Sequence, residues 1–521
     1  MAIIICLPAA AVTSFWVFSR FTVDDAFLAW RYGKNLVDAG VWNYNPAAID
    51  LTQAYTNPLY ALLSTLPSAL NLDVVLFFKV FSLLVVGAFC LWFYFQARAS
   101  WLLLIVFLAL PATMIHGFGG LETTLFVFLL AALMISMYEQ DLKSSLAVTL
   151  LLFLTRPESW ILVALVPTYY LIDEKSATHP FNCYRMNRHP TGISLTWQRS
   201  ATALLWLGIP LSLYFVLNFI HFGNVLPNTF YAKASHHFNF TTFFTYFAFL
   251  MPLLLLAIYG RRVLLLWLVA TFGIIILNYS TSNLQMNYSS RFLFHIFAPV
   301  FLFVAYLSSL QGNRVFFVSE RENGPPAFLV PIRYLINAML LLYIAVFAST
   351  SLSIREAAAI AAYYPRALDS HAAFGKLLHR ISQNEGIRSF SLGDAGMAAY
   401  HSGLIALDNV GLGSAKVTER GIDPALLDEY NLDVIALHAQ PDAIRLGDYH
   451  QQAILHWGKK KGFMELCDVY WSKDYTLRIF AKADIKEIHD LCESSKAKNA
   501  IPNSTYLKNI LRLPPWVYWK E

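Results

Sequence analysis

The chain has 521 residues, of which 57% are hydrophobic and only 14% are charged, and its formal net charge is +5. A soluble protein carries about 25% charged residues. The composition therefore excludes an ordinary soluble enzyme and indicates a polytopic α-helical membrane protein. The small positive charge gives no sign of nucleic-acid binding.

Eleven apolar runs are long enough to be predicted as membrane spans, if tilt and short half-helices are allowed. They lie near 2–19, 73–95, 100–115, 122–138, 145–156, 159–172, 201–220, 241–259, 262–278, 292–310 and 331–350. The first is interpreted as an uncleaved span, because its start lacks Lys and Arg and no cleavage site precedes a soluble domain. Pro157 would break one long helix between the fifth and sixth runs.

Basic residues are concentrated in alternate loops. They are Arg98, Lys143, the group Lys175, Arg185, Arg188 and Arg199, the pair Arg261 and Arg262, and then Arg314 and Arg321. The positive-inside rule predicts that these loops are cytoplasmic and that the N-terminus is inside. The outer face of the cytoplasmic (inner) membrane then carries 20–72, 116–121, 221–240, 279–291 and everything after about residue 351.

The first outer loop, 20–72, contains two predicted surface helices. Apolar and aromatic residues from Asp25 to Val37 alternate with Arg31, Lys34 and Asn35, which is typical of an amphipathic helix in the membrane interface. A second helix is predicted over 59–70, introduced by Asn57-Pro58.

The C-terminal region has a different composition and no run long enough to span a membrane. The segments SFSLGDAGMAAYHSGLIALDNVGL, LDVIALHA and TLRIFAK contain strand, turn and helix patterns. We therefore divide the chain into a transmembrane module, 1–350, and an extracytoplasmic α/β domain, 351–521. Cys467 and Cys492 could form a disulfide if this domain faces an oxidising compartment, and the pairing is left open.

Ionisable residues at membrane depth or at helix ends indicate a site, because burying them is costly. Asp24 and Asp25 follow the first span, either as a helix N-cap pair or with one of them as a general base. Arg31, Lys233 and Arg291 could neutralise a phosphate. The alternatives are snorkelling to head groups for Arg31, a solvated loop lysine for Lys233 and an interfacial anchor for Arg291.

Two further carboxylates also have two interpretations. Glu122 starts a span, where an acid suits the helix dipole, or it belongs to the site. Arg156 and Glu158 form an internal ion pair at a helix break, or they lie beside the site. In the C-terminal domain the turn at Gly393 lacks the full glycine fingerprint of a nucleotide site. Asp394, His401 and Asp408 could face either the membrane domain or an acceptor substrate.

Six sequence blocks, taken in order, carry a family resemblance. They are DDAFLAWRYGKNL with NYNP and YTNPLY in the first loop, GFGGLETTLF (117–126), TRPESW (155–160), LPNTFYAKA (226–234), SSRFLFHIFAP (289–299) and GDAGMAAYHSGLIALDNVGL (393–412). The set resembles the GT-C membrane glycosyltransferases, namely the arabinofuranosyltransferases of mycobacterial cell-wall assembly and the pilin arabinosyltransferases of pseudomonads. Both groups fit the motifs.

The resemblance implies inverting transfer of a sugar, with D-arabinofuranose favoured, from a polyprenyl-phosphate donor on the outer face. The acceptor would be an envelope glycan or a secreted protein such as pilin. The implied general base is Asp24 or Asp25, with Asp24 favoured, and the other acid would orient the acceptor hydroxyl or hold a metal. The implied substrate-binding residues are Arg31, Tyr55, Asn57, Glu122, Arg156, Glu158, Asn228, Tyr231, Lys233 and Arg291.

Cofactor and rival functions remain open in the sequence. A divalent cation is left open, because adjacent His236 and His237 diverge in most conformations and no ligand spacing decides the matter. The alternatives are a GT-C enzyme that transfers mannose, glucose or aminoarabinose, an inactive scaffold, or a transporter of lipid-linked sugars. A transporter would predict internal repeats, and none stands out.

Overall fold

The computed structural model describes residues 12–47, 49–97, 101–172, 193–234, 237–258, 261–284, 286–310, 332–441 and 443–511. The chain is mostly helical, with a small sheet region near its C-terminus. Several sequence predictions fall outside the described residues. They concern the start of the run at 2–19, the basic residues Arg98, Lys175, Arg185, Arg188, Arg314 and Arg321, and His236.

The N-terminal two thirds of the chain are built from helices that follow a short helical stretch at 12–18. They are α1 Asp24–Ala39, α2 Pro58–Leu63, α3 Thr65–Ala69, α4 Val74–Ala97, α5 Trp101–Ala109, α6 Pro111–Phe118, α7 Thr123–Tyr138, α8 Leu142–Thr155, α9 Leu162–Ile172, α10 Ile193–Phe222, α11 Asn228–Ala232, α12 Phe240–Ala248, α13 Leu255–Ile258, α14 Arg262–Ser280, α15 Arg291–Ser309 and α16 Ile332–Ser351.

Five helices of the described segments are long and apolar enough to cross a membrane, by length and composition: α4, α10, α14, α15 and α16. Helices α6 and α7, which are bent by 115° at their junction, make a sixth if they count as one broken span. These apolar helices indicate a membrane-embedded protein. They do not confirm the predicted count of eleven spans.

Prolines account for much of the difference between apolar runs and long helices. The run at 100–115 is divided before Pro111 into α5 and α6, and the pair of runs at 145–172 is divided at Arg156-Pro157. The run at 241–259 is interrupted by the 3-10 turn Met251–Leu254, which contains Pro252. Proline removes a backbone donor and clashes with the preceding helical turn, so hydropathy alone overestimates helix length.

The centre of the helical region is α15, in which 94% of the apolar 18-residue stretch is buried. It packs against α7 and α16, with Phe297 stacked on Phe347 at 4.0 Å between ring centroids. Helix α10 lies at the periphery, since only 17% of its apolar 18-residue stretch is buried. Its exposed Leu, Trp and Ile side chains are suited to contact with lipid.

The described residues of the C-terminal region form eight α-helices and six strands. The helices are α17 Ile354–Ala358, α18 Tyr364–Glu385, α19 Met397–Ser402, α20 Ala415–Arg420, α21 Pro424–Tyr430, α22 Gln451–Lys460, α23 Lys486–Asn499 and α24 Asn503–Leu511. The strands are β1 Ser389–Leu392, β2 Ile405–Asp408, β3 Val434–Gln440, β4 Ala443–Ile444, β5 Met464–Ser472 and β6 Tyr475–Ala481.

The strands form one mixed sheet in the order β2-β1-β3-β6-β5, with β4 paired to β3. Strand β1 runs parallel to β2 and β3, whereas β3–β6 and β5–β6 are antiparallel. Phe390 of β1 is opposite Ala406 on one side and Val434 on the other. The predicted strands β1, β2, β3 and β6 are confirmed, while β4 and β5 were not predicted. Cys467 of β5 and Cys492 of α23 form a disulfide.

The first loop and the C-terminal region share one hydrophobic core. Phe27 and Trp30 of α1 belong to the same buried cluster as Phe374, Phe390 and Leu392. Helix α1 is confirmed, but protein covers most of it, so it does not lie on the surface as an interfacial helix would. The absence of a side chain at Gly33 lets α1 pack directly against the backbone between α2 and α3.

Candidate functional site

A cavity of about 300 Å³ lies where helix ends of the apolar region meet the first loop. Helices α7 and α15 begin at this cavity and α8 and α14 end at it, so the cavity occupies one end of the helical region. Its charged lining residues are Asp25, Glu122, Arg156, Glu158, Lys233 and Arg291, together with the predicted polar residues Tyr55 and Asn57. The structure thus brings eight predicted site residues together.

One wall of the cavity is an ion cluster centred on Glu122, whose side chain is 2% exposed. Its Oε1 accepts hydrogen bonds from Arg156 Nη1 at 2.5 Å and from Arg291 Nη2 at 3.2 Å. Asn57 Nδ2 donates to Oε2 at 2.7 Å. Buried charges are tolerated when they are paired and hydrogen-bonded in this way.

Arg156 is held by a second carboxylate as well. Its Nε and Nη2 donate to the two oxygens of Glu158 at 3.0 and 2.6 Å, a bidentate pair. Arg291 is less tightly held, because its other hydrogen bond is from Nε to Thr123 Oγ1 at 3.0 Å. Arg291 is therefore the arginine of the cluster with more capacity to bind an added anion.

Across the cavity, Asp25 of α1 faces Lys233, which follows α11. Lys233 Nζ lies 3.3 Å from Asp25 Oδ2, and the two side chains are 31% and 17% exposed. This pair is more accessible to solvent than the Glu122 cluster. A long lysine side chain in such a position can move to a new anion without unfolding its surroundings.

Asp24 does not line the cavity. Its oxygens accept the backbone N–H groups of Gly396 at 2.9 Å and Met397 at 2.8 Å, and Oδ1 lies 3.7 Å from His371 Nδ1. A Cβ atom at residue 396 would collide with Asp24, so glycine is needed for this approach. Burial raises the pKa of Asp24, while His371 and the Met397 N–H act in the opposite direction. Asp24 thus ties α1 to the C-terminal region.

Three other predicted residues also lie away from the cavity lining. Arg31 is fully buried, donates to Tyr44 O at 2.6 Å and Leu404 O at 2.5 Å, and neither binds in the cavity nor snorkels. Asn228 Nδ2 donates to Gly411 O at 2.6 Å and so joins the start of α11 to the C-terminal region. The side chain of Tyr231 is 47% exposed.

The cavity also contains residues that the sequence interpretation missed. Asn278 and Tyr279 come from the last turn of α14, and Phe292 comes from the first turn of α15. The Tyr279 hydroxyl is 2.8 Å from His295 Nδ1, which fixes the ring at the cavity wall. A polar pair at the end of an apolar run was the available signal for Asn278 and Tyr279.

The described residues contain no group of three His, Cys, Asp or Glu side chains that could hold a metal ion. Whether a divalent cation binds remains untested. Asp25 has the most exposed of the three cavity carboxylates, which are Asp25, Glu122 and Glu158. Chemically, the cavity combines one carboxylate that can accept a proton with two cationic side chains, Lys233 and Arg291, that can bind an anion.

No protein-family model, no curated protein and no solved structure matches this chain. A function is therefore inferred from the residues of the cavity together with the sequence resemblance.

Proposed function

We propose that this protein is a membrane glycosyltransferase of the GT-C type. It transfers a sugar from a polyprenyl-phosphate donor to a hydroxyl of an envelope glycan or of a secreted protein such as pilin. The donor sugar is D-arabinofuranose, as the resemblance of the six sequence blocks implies. The observation that carries the proposal is the cavity in which Asp25, Lys233 and Arg291 stand together at one end of apolar helices.

In this proposal Asp25 is the general base. Its carboxylate takes the proton of the acceptor hydroxyl as that oxygen attacks the anomeric carbon of the donor. A new C–O bond forms on one face while the bond from the anomeric carbon to the phosphate oxygen breaks on the other, so the configuration inverts. The electron pair of the broken bond leaves with the polyprenyl phosphate. Asp24 is not assigned this role, because its oxygens already accept two backbone N–H groups.

Lys233 and Arg291 stabilise the leaving phosphate. The Asp25–Lys233 contact adds a coupling between donor binding and base activation. A donor phosphate near Lys233 competes with Asp25 for the ammonium group, and Asp25 is released to accept a hydroxyl proton. Arg156 stays with Glu122 and Glu158, so its role is to hold the cavity wall in a fixed, preorganised position.

The arrangement of charge supports an outward-facing cavity. Lys143, Arg261 and Arg262 lie at the opposite ends of α8 and α14 from the cavity. By the positive-inside rule those ends are cytoplasmic. The Cys467–Cys492 disulfide agrees with a C-terminal region in an oxidising compartment.

The test is a transfer assay with purified protein in lipid nanodiscs. Labelled polyprenyl-phosphate arabinofuranose and a labelled hexose-linked donor are supplied in parallel with envelope extract, and release of polyprenyl phosphate and labelled product are both measured. We expect transfer from the pentose donor. Transfer from the hexose donor alone would keep the enzyme class and refute the arabinose assignment. Absence of turnover with both donors would refute the proposed activity.

A single variant separates donor binding from folding. Lys233→Gln should raise the donor KM about ten- to a hundredfold, because one charge-assisted contact to phosphate is worth about 1.5–3 kcal/mol. Lys473→Gln is the matched control, since Lys473 is an exposed lysine in the turn between β5 and β6. An unchanged donor KM in Lys233→Gln would exclude Lys233 from phosphate binding.

A further inference from the structure

A second polar cluster lies next to the cavity, at the carboxyl ends of the parallel strands. Asp394 follows β1, and its Oδ2 lies 3.7 Å from Nε2 of His438 in β3. No described residue donates a hydrogen bond to the Asp394 carboxylate, although its side chain is only 25% exposed. His438 is 2% exposed, and its Nε2 has no hydrogen-bond partner among the described residues. A buried polar atom without a partner indicates a missing ligand or solvent.

Aromatic side chains surround these groups. Tyr449 lies 5.3 Å from the His438 ring, and Trp471 stacks on Tyr475 at 4.7 Å between centroids. Tyr363 completes the wall at 6.4 Å from Tyr475, and the guanidinium of Arg445 lies 5.1 Å above the Tyr475 ring. We refer to Asp394, Tyr363, Arg445, Tyr449, Trp471 and Tyr475 as the aromatic cleft. Tyr363, Tyr449 and Tyr475 are half-buried, so parts of their rings remain free to contact a ligand.

The aromatic cleft and the cavity meet at the start of α1, because Asp24 accepts the backbone N–H groups of Gly396 and Met397, just after Asp394, and the next residue, Asp25, lines the cavity. Burial is the largest cause of the raised pKa of Asp394, and the nearby Asp25 carboxylate adds to it. Asp394 in turn adds to the effect of burial in raising the pKa of Tyr449 to about 12. A molecule that binds between the rings can thus extend a hydroxyl group towards Asp25.

We propose that the aromatic cleft binds the acceptor, and that the acceptor is a carbohydrate chain; this rests on the proposed glycosyl transfer. Ring faces pack against the C–H faces of sugars. A carboxylate without a donor and an unpartnered imidazole nitrogen satisfy sugar hydroxyls, which both donate and accept hydrogen bonds. Arg445 is the one cation of the cleft, so the surface suits a neutral polyol rather than an anionic polymer.

The test measures saccharide binding by the full-length chain in nanodiscs without donor. The probes are soluble arabino-, galacto- and manno-oligosaccharides and Ser/Thr-rich peptides, followed by saturation-transfer NMR and calorimetry. We expect one oligosaccharide class to bind. Asp394→Asn, which keeps the side-chain shape, and Tyr449→Ala should each weaken that binding about tenfold, as loss of a charge-assisted hydrogen bond or of an aromatic contact implies. Asp490→Asn, an exposed acid on α23, is the matched control and should bind as the wild type does.

Each other result overturns the inference. Binding of the peptides alone would assign the cleft to a protein acceptor. Absence of binding by every probe, or binding undiminished in both variants, would remove the cleft from acceptor recognition. The transfer assay separates the two proposals: saccharide binding without transfer from any donor refutes the proposed function alone, and transfer with an unchanged acceptor KM in Asp394→Asn refutes the cleft alone.

Discussion

Replacing Glu122 by glutamine should destabilise the protein more than any other single charge change in the cavity wall. The substitution preserves the shape of the side chain but removes the charge that Arg156 and Arg291 share at 2.5 and 3.2 Å. It also presents an amide to the Asn57 donor. Breaking a buried ion pair by removing one partner costs about 3–5 kcal/mol.

The expected loss lies near the lower end of that range. Arg156 retains Glu158, and Arg291 retains Thr123, so neither guanidinium is left wholly without a partner. A loss of about 3 kcal/mol lowers the folding equilibrium constant by about two orders of magnitude. The assay is reversible unfolding of the purified protein in mixed micelles titrated with SDS.

Glu493→Gln is the matched control, because Glu493 is an exposed acid on α23. Its substitution should change the free energy of unfolding by less than about 1 kcal/mol. If Glu122→Gln were as stable as the wild type, the ion cluster would not stabilise the cavity wall. That result would also refute the preorganising role assigned to Arg156.

Three further predictions concern the C-terminal region. Asp24→Asn should lower the free energy of unfolding by about 1.5–3 kcal/mol, since one charge-assisted acceptor is lost; an unchanged unfolding curve in the same micelles would contradict this. Burial raises the pKa of Asp408 to about 7 from 3.8, so the folded state holds this proton more tightly than the unfolded state. The resulting stabilisation is complete below about pH 4 and is lost as the pH rises through about 7. The free energy of unfolding of the wild type, relative to that of Asp408→Asn, should therefore fall as the pH rises over that interval. A constant difference between the two free energies would refute the assignment. Cys467→Ser should cost about 3–4 kcal/mol, because the disulfide closes a loop with a sequence separation of 25; wild type treated with reductant should match the variant, and insensitivity of both would argue against a disulfide.

The contrast between Asp24 and Asp25 shows what the sequence could and could not predict. The order of the blocks predicted that acids and cations from distant loops belong together, and six of those charged residues line one cavity together with Tyr55 and Asn57. Adjacent positions on a helix point about 100° apart. Asp25 therefore faces the cavity and Asp24 faces the Gly396 turn, and only the rotation of α1 in the fold determines which acid faces which.

Arg31 and the membrane spans show two other limits. Arg31 binds the carbonyl of Leu404, 373 residues away, and no local pattern indicates such a contact. Hydropathy identified the long helices α4, α10, α14, α15 and α16, because each contains a span of 18 to 26 residues with high mean hydropathy. It could not distinguish membrane spans from the shorter, broken helices around Pro111, Pro157 and Pro252, because packing rather than composition sets how deep those helices lie in the membrane.

The most direct test of the central claim compares Asp25→Asn with Asp24→Asn in the nanodisc transfer assay, at equal amounts of folded protein. If Asp25 is the general base, Asp25→Asn should lose about 10²–10⁴-fold in the rate of sugar transfer. Asp24→Asn should keep most of the wild-type rate per folded molecule. Loss of transfer in Asp24→Asn with full activity in Asp25→Asn, or undiminished transfer in both variants, would contradict the assignment of Asp25 and the mechanism that depends on it.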